Sequence, residues 1–202
     1  MNGMGNFKKR SGSNNNTLAN RMNNWKIKAD EFYRSSEYLW IEINKDHSEL
    51  INERKTENVY TRPYTPILDH TYFLLICLSI ENLLKGLILY ANPTLIANKL
   101  DKSISNHDLE KLSKFTTINF SDDENDFLIM ASTIISWYSR YPIPRNANQI
   151  IQSANFDYNK IRNTYLQLFS KLSFEMKTSG GLTKNYDYVF SENPNRHLKK
   201  KS

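Results

Sequence analysis

The stretch whose reading decides the fold runs from Pro66 to Tyr90, PILDHTYFLLICLSIENLLKGLILY. From Thr71 to Ile80 it is apolar almost all round, a pattern that fits a buried helix and not a surface one. Its start carries local signals: Thr65 suits a cap, Pro66 the first helical position, and Asp69 the positive end of the helix dipole. Asn92-Pro93 closes it, because proline disfavours helical geometry in the residue before it. The segment predicts a central helix covered by neighbours. A membrane span is the competing reading of so apolar a run. His70, Ser79, Glu81, Asn82 and Lys85 interrupt it well short of the ~20 apolar residues that a span requires.

The neighbours are legible on either side. From Met22 to Arg54, the residues Trp25, Ala29, Phe32, Ser36, Leu39, Ile43, His47 and Leu50 recur at steps of three and four, drawing one stripe down a long helix. Residues 55–65 read as a loop. Beyond the central helix, Ser105 or Asn106 is placed to cap a short third helix beginning at His107. Ser121-Asp-Asp-Glu124 has the spacing of a capping box and opens a fourth helix with Phe127, Leu128, Ala131, Ile134, Ile135 and Tyr138 inward. That helix must end by Tyr141, ahead of two prolines. A fifth is predicted from Asn155 to Met176 on Tyr158, Ile161, Tyr165, Leu168 and Leu172. The expected architecture is all-α: an antiparallel bundle of about five helices with a long central apolar helix.

A chain of 202 residues suits one domain with tails. The net charge of +6 is unevenly spread. Residues 1–21 carry four basic groups and no acid, and residues 177–202 carry six basic groups against two acids, so each end is +4 and residues 22–176 are left at about −2. The basic character therefore belongs to the ends, read as flexible tails of low complexity, and the bundle is assigned to 22–176. Such tails can graze phosphates, or simply keep a protein in solution. The short segment Tyr186–Phe190 is sticky enough to dock on the bundle or on a partner. The only cysteine, Cys77, lies inside the apolar run, where a thiol behaves as a small hydrophobe. The polar first twenty residues show no apolar leader segment, and with no disulfide available the expected setting is cytoplasmic, away from membranes.

Familiar catalytic signatures are missing: there is no glycine-rich phosphate loop, and the four histidines at 47, 70, 107 and 197 have no zinc-ligand spacing. No metal or cofactor is expected. Three constellations remain. Arg140 and Arg145 bracket a proline-stiffened turn beside Tyr138 and Tyr141; an arginine fork suits a phosphate and a tyrosine ring a base, although Arg140 would serve equally as a helix-end ion pair. Glu81 and Lys85 lie four apart on the apolar second helix, either an ordinary ion pair or the polar lining of a cleft. His107-Asp108 opens the third helix, for capping or for acid–base chemistry.

Ser79-Ile-Glu81-Asn-Leu-Leu-Lys85-Gly, His107-Asp-Leu-Glu-Lys-Leu112 and Arg140-Tyr-Pro142, in this order over residues 65–175, resemble the HEPN family of helical bundles. The resemblance implies a bundle that often dimerises, acts on RNA or binds nucleotides, belongs to toxin–antitoxin or phage-defence settings, and in some members pairs with a nucleotidyltransferase. RNA-cutting members carry an Arg, four to six residues, then a His. Here Arg140 is followed by Arg145, Asn146 and Ala147 where that His would stand, while Arg62 and His70 come closest at a longer spacing. What the resemblance implies is a protein that binds RNA or a nucleotide phosphate near Arg140, Tyr141 and Arg145, with Glu81, Lys85 and Asp108 shaping the cleft. Its cutting form would be a metal-independent ribonuclease using Arg140 and His107. Its non-catalytic form would be a module pairing with itself or with a nucleotidyltransferase.

Overall fold

A computed structural model of the chain describes residues 11–56, 67–96, 100–138 and 157–179, with side chains described from Met22 to Lys45 in the first helix. Among these residues the protein is all-α. The elements are α1 (Ser11–Thr56), α2 (Ile67–Ala91), a 3-10 turn (Pro93–Leu95), α3 (Leu109–Ser113), α4 (Asp122–Thr133) running on into a π-helical turn (Ile134–Tyr138), and α5 (Tyr158–Thr178). Thr65, Pro66, Asn155, Arg62 and the segment Tyr186–Phe190 lie outside the described residues.

α2 is the hub. It packs against α1, α3, α4, α5 and the π-helical turn, which is what a helix apolar on every side requires. Tyr72, Phe73, Ile76, Cys77, Ile80, Leu83, Leu84, Ile88 and Leu89 are all buried. By length and composition Leu68–Ala91 would cross a membrane, and 78% of its most apolar window is buried inside the protein. At roughly 1.5–3 kcal/mol per fully buried large apolar side chain, this one helix organises much of the core.

Contacts along the helices fix their directions. Trp40 packs against Tyr72 with ring centroids 5.3 Å apart, while the Trp25 Cβ approaches Gly86, so α1 and α2 are antiparallel. On the other side, the Tyr158 hydroxyl donates to Asp69 at 2.9 Å, Ser79 meets Tyr165, and Tyr90 donates to the Ser179 carbonyl. α5 therefore runs in the direction of α2. A Cβ built on Gly86 would stand 2.6 Å from the Met176 Cε and 3.1 Å from the Trp25 Cβ, so the missing side chain is what lets α1, α2 and α5 converge.

Several local expectations hold and others shift. The α1 stripe turns inward as read, with Ala29, Ser36 and Ile43 buried and Trp25 and Leu39 partly so. The helix itself begins at Ser11, inside the stretch assigned to a tail, and not at Met22. The capping box at α4 is complete: the Ser121 N–H donates to Glu124 Oε2 at 2.8 Å and the Glu124 N–H donates to Ser121 Oγ at 3.3 Å. Phe127, Leu128, Ala131, Ile134 and Ile135 are buried as expected. α5 is capped by Asp157, whose side chain accepts from the Lys160 N–H at 2.9 Å.

The third helix differs from its prediction. It spans only Leu109–Ser113, and its cap is Asp108, which accepts from the Lys111 N–H at 2.9 Å. Neither Ser105 nor Asn106 is the cap; Asn106 instead accepts the Asp108 N–H through its side chain at 3.0 Å. His107 thus stands before the cap, outside the helix it was expected to open. The competing Asx turn at Asn106 wins over an extra helical turn.

Candidate functional site

The charged pair of α2 is the foundation. Glu81 and Lys85 fall one turn apart on the central helix, and both are only 4% exposed. The Lys85 ammonium donates to Glu81 Oε1 at 2.5 Å. Burying either group alone would be costly; together they are neutral and mutually bonded. This is a buried mid-helix pair, more demanding than an exposed pair at a helix end.

The third member arrives from the segment between the 3-10 turn and α3. Asp101 organises that segment: its carboxylate accepts from the Ser103 N–H at 2.8 Å and the Ser103 hydroxyl at 2.7 Å. Those hydrogen bonds hold the Asp101 carboxyl below its ordinary range. Ile104 and Leu109, on either side of His107, are fully buried. The Leu109 N–H donates to the Ser132 hydroxyl on α4 at 2.8 Å. His107 is therefore pinned from both flanks against α2.

Its Nδ1 stands 3.1 Å from Glu81 Oε1 and 3.2 Å from Oε2. The imidazole is 42% exposed while the carboxylate it meets is 6% exposed at the side chain. A carboxylate accepting at Nδ1 selects the tautomer in which Nδ1 carries the proton, leaving Nε2 as the unprotonated nitrogen of a partly exposed ring. Lys85 balances the Glu81 charge from below. The arrangement combines a buried anchor, a fixed ring orientation and an unprotonated nitrogen on a partly exposed ring, the parts a proton-transfer or phosphate-contacting group needs.

Two of the three sequence motifs thus meet in space. Glu81, Lys85 and His107 form one cluster, and Asp108 borders it as the α3 cap. Arg140, Tyr141 and Arg145 lie outside the described residues, and His70 sits half-buried in the first turn of α2. Among the described residues no group of three or more His, Cys, Asp or Glu side chains is placed to hold a metal ion.

Other polar clusters went unread in the sequence. Lys26 and Asp30 on α1 are 4% and 5% exposed and paired at 2.5 Å, with the ammonium 5.4 Å from the Phe169 ring centroid. Burial lowers the Lys26 pKa, against the pull of Asp30. Arg162 of α5 holds Glu37 of α1 through both guanidinium nitrogens at 2.8 and 2.7 Å and lies over the Trp40 ring at 4.8 Å. Ser79 donates to the Tyr165 hydroxyl at 3.2 Å deep in the core, and burial drives that phenol far above its ordinary pKa. These clusters bind helices together. The one available signal was an opposite-charge pair four residues apart beside Trp25 and Ala29, which is also the commonest pattern of a solvated face.

No protein-family model, curated protein or solved structure gives a significant match to this chain.

Proposed function

We propose that this protein is a HEPN-like helical bundle that binds RNA or a nucleotide phosphate at the surface bearing His107, with Glu81 and Lys85 as its buried base. The observation that carries the reading is the approach of His107 Nδ1 to both Glu81 oxygens, at 3.1 and 3.2 Å. It joins two motif stretches that sequence alone left separate. The sequence supports a third contribution. Ser132, which receives the Leu109 N–H, lies on the helix that leads through Ile134–Tyr138 toward Arg140, Tyr141 and Arg145. The guanidinium forks and tyrosine ring of that sequence motif are the residue types that supply the phosphate and base contacts a buried neutral pair cannot.

The Nδ1-anchored ring also favours a second reading, metal-independent RNA cleavage. In it Nε2 of His107 takes the proton of a ribose 2′-hydroxyl as that oxygen attacks the adjacent phosphorus. The bond between phosphorus and the 5′-oxygen then breaks, and that oxygen takes a proton from water while the imidazolium gives its own back to water, leaving a 2′,3′-cyclic phosphate and a 5′-hydroxyl. Arg140 would face the charge developing on the phosphate.

Fluorescent oligoribonucleotides and nucleoside triphosphates, titrated against wild type, Arg140→Ala and His107→Ala, test the binding reading. A tenfold or greater loss of affinity in Arg140→Ala is expected, and equal affinity in all three proteins would sink it. Incubating total RNA with the same proteins in EDTA decides the second reading, which requires cutting that His107→Ala abolishes.

A further inference from the structure

Among the described residues, two hydrogen bonds tie the segment 101–109 to the longer helices. One joins His107 to Glu81 of α2, and in the other the Leu109 N–H donates to Ser132 Oγ of α4 at 2.8 Å. Further bonds stay inside the segment or reach the 3-10 turn. Asn106 Oδ1 accepts the Asp108 N–H at 3.0 Å, Asn106 Nδ2 donates to the Ser103 carbonyl at 2.7 Å, and the Asp101 N–H donates to the Leu95 carbonyl at 2.9 Å. Those bonds give the segment its shape without fixing where it sits on α2. The burial of Ile104 and Leu109 holds it down, but apolar contact is non-directional and does not orient a ring.

Leu109 is the first residue of α3, so its N–H has no acceptor within that helix. The residue is 0% exposed, which keeps water from serving instead. Asp108, the cap, is occupied with the Lys111 N–H. On α4 the backbone carbonyls are engaged within the helix, and that of Ser132 accepts the Ser136 hydroxyl at 2.6 Å, where the π-helical turn begins. The Ser132 hydroxyl gives its own proton to the Leu128 carbonyl at 2.8 Å, which leaves its lone pairs for α3. A short hydroxyl side chain is what this position needs.

We propose that Ser132 is the positioning residue of the His107 site: its hydroxyl, by holding the first amide of α3, seats the imidazole on Glu81. His107 stands two residues from Leu109, with extended backbone at Asp108 between them, so a displacement of Leu109 is carried to the ring. A ligand-facing or reacting group has to be held to within about 0.5 Å, and the bond that fixes its support governs that placement. Ser132 acts through the Leu109 amide. The consequence for ligand binding rests on the reading of His107 as the ligand-facing group, whereas the seating of the ring does not.

Ring-nitrogen NMR on the full chain at pH 8 tests the seating, with His107→Gln assigning the His107 signals. Wild type is expected to carry the proton of the neutral ring mainly on Nδ1. Ser132→Ala should move the tautomer ratio at least about threefold toward Nε2–H, the form that free histidine prefers. Ser132→Thr keeps a hydroxyl able to bond the same carbonyl and should hold the wild-type ratio. If Ser132→Ala fails to fold, Ser132→Cys, of similar shape and a weaker acceptor, replaces it. A Ser132 that only stabilises the fold would lower the unfolding midpoint and leave the tautomer of the folded chain unchanged. That result overturns the proposal, as does an equal shift in the Ser132→Ala and Ser132→Thr chains. Oligoribonucleotide affinity, measured on the same proteins and on His107→Ala, separates the two readings. It should fall at least about threefold in Ser132→Ala and recover in Ser132→Thr. A shifted tautomer with an affinity that His107→Ala leaves untouched keeps Ser132 as the residue that seats the ring and overturns the ligand-binding reading instead.

Discussion

His107 and Glu81 are 26 residues apart in the chain, and their side chains meet at 3.1 Å beneath a half-exposed imidazole. Lys85 shares that carboxylate, donating to Glu81 Oε1 at 2.5 Å, so neither buried group stands alone. Removing one member of this set therefore has consequences unlike removing two.

Glu81→Ala leaves the Lys85 ammonium buried without its carboxylate and should cost roughly 3–5 kcal/mol of stability. Glu81→Leu combined with Lys85→Met removes both charges and should be nearly neutral, within about 1.5 kcal/mol of wild type, while releasing His107. Urea unfolding measures both. In the double variant, nitrogen chemical shifts of the His107 ring should lose the preference for a proton on Nδ1. Equal costs for the single and double changes would contradict the ion-pair account.

Gly86→Ala sets two effects against each other. Alanine is the better helix former by about 1 kcal/mol. The new Cβ, however, meets the Met176 Cε at 2.6 Å and the Trp25 Cβ at 3.1 Å. Met176 can swing aside and α1 cannot, so overpacking should win by roughly 1–3 kcal/mol. Adding Met176→Ala should recover only part of the loss. A stabilised Gly86→Ala chain would show that the three helices have slack.

Burial pushes the Tyr72 phenol up to about 12, outweighing the opposing pull of Arg162. A group whose folded pKa is raised contributes stability that is complete below its unfolded pKa near 10 and is lost as pH rises through the folded value. Stability should therefore fall between about pH 10 and 12, with Tyr72 responsible for roughly 2–3 kcal/mol of the decline. Tyr72→Phe should unfold more easily at pH 8 by about 1 kcal/mol, having lost its bond to Arg162, yet decline less steeply above pH 10. Unfolding series at pH 8, 10 and 11.5 check this, and identical slopes in the two proteins would refute it.

The Cys77 thiol is fully buried, and burial, with the nearby Glu81 charge, drives its pKa well above the ordinary value. It should resist a disulfide reagent at pH 8 in the folded protein and react stoichiometrically in denaturant. Because Cys77 is the sole thiol, its reaction rate reports opening of the core around α2 directly. Rapid reaction in the native protein would place this part of the core in exchange with open states.

Local chemistry and periodicity settled much of this molecule from the sequence alone. The apolar run Thr71–Ile80 demanded a central helix, the spacing of Trp25, Ala29, Ser36 and Ile43 demanded a second helix against it, and Ser121 with Glu124 fixed where α4 begins. Each is decided by neighbours within a few residues, through backbone hydrogen bonds and the need to bury one face. The tertiary structure alone decided what the polar residues do. Lys26 and Asp30 drew no reading from the sequence and are buried as a pair beside Phe169 of α5, and Arg162 showed no tie to Glu37, 125 residues away. Glu81, Lys85 and His107 were three separate hints. The distance between an imidazole and a carboxylate 26 residues apart depends on how the Ser103–Asp108 segment docks, with Ile104 and Leu109 in the core. That docking is a sum of long-range contacts, and no local pattern in the sequence encodes it.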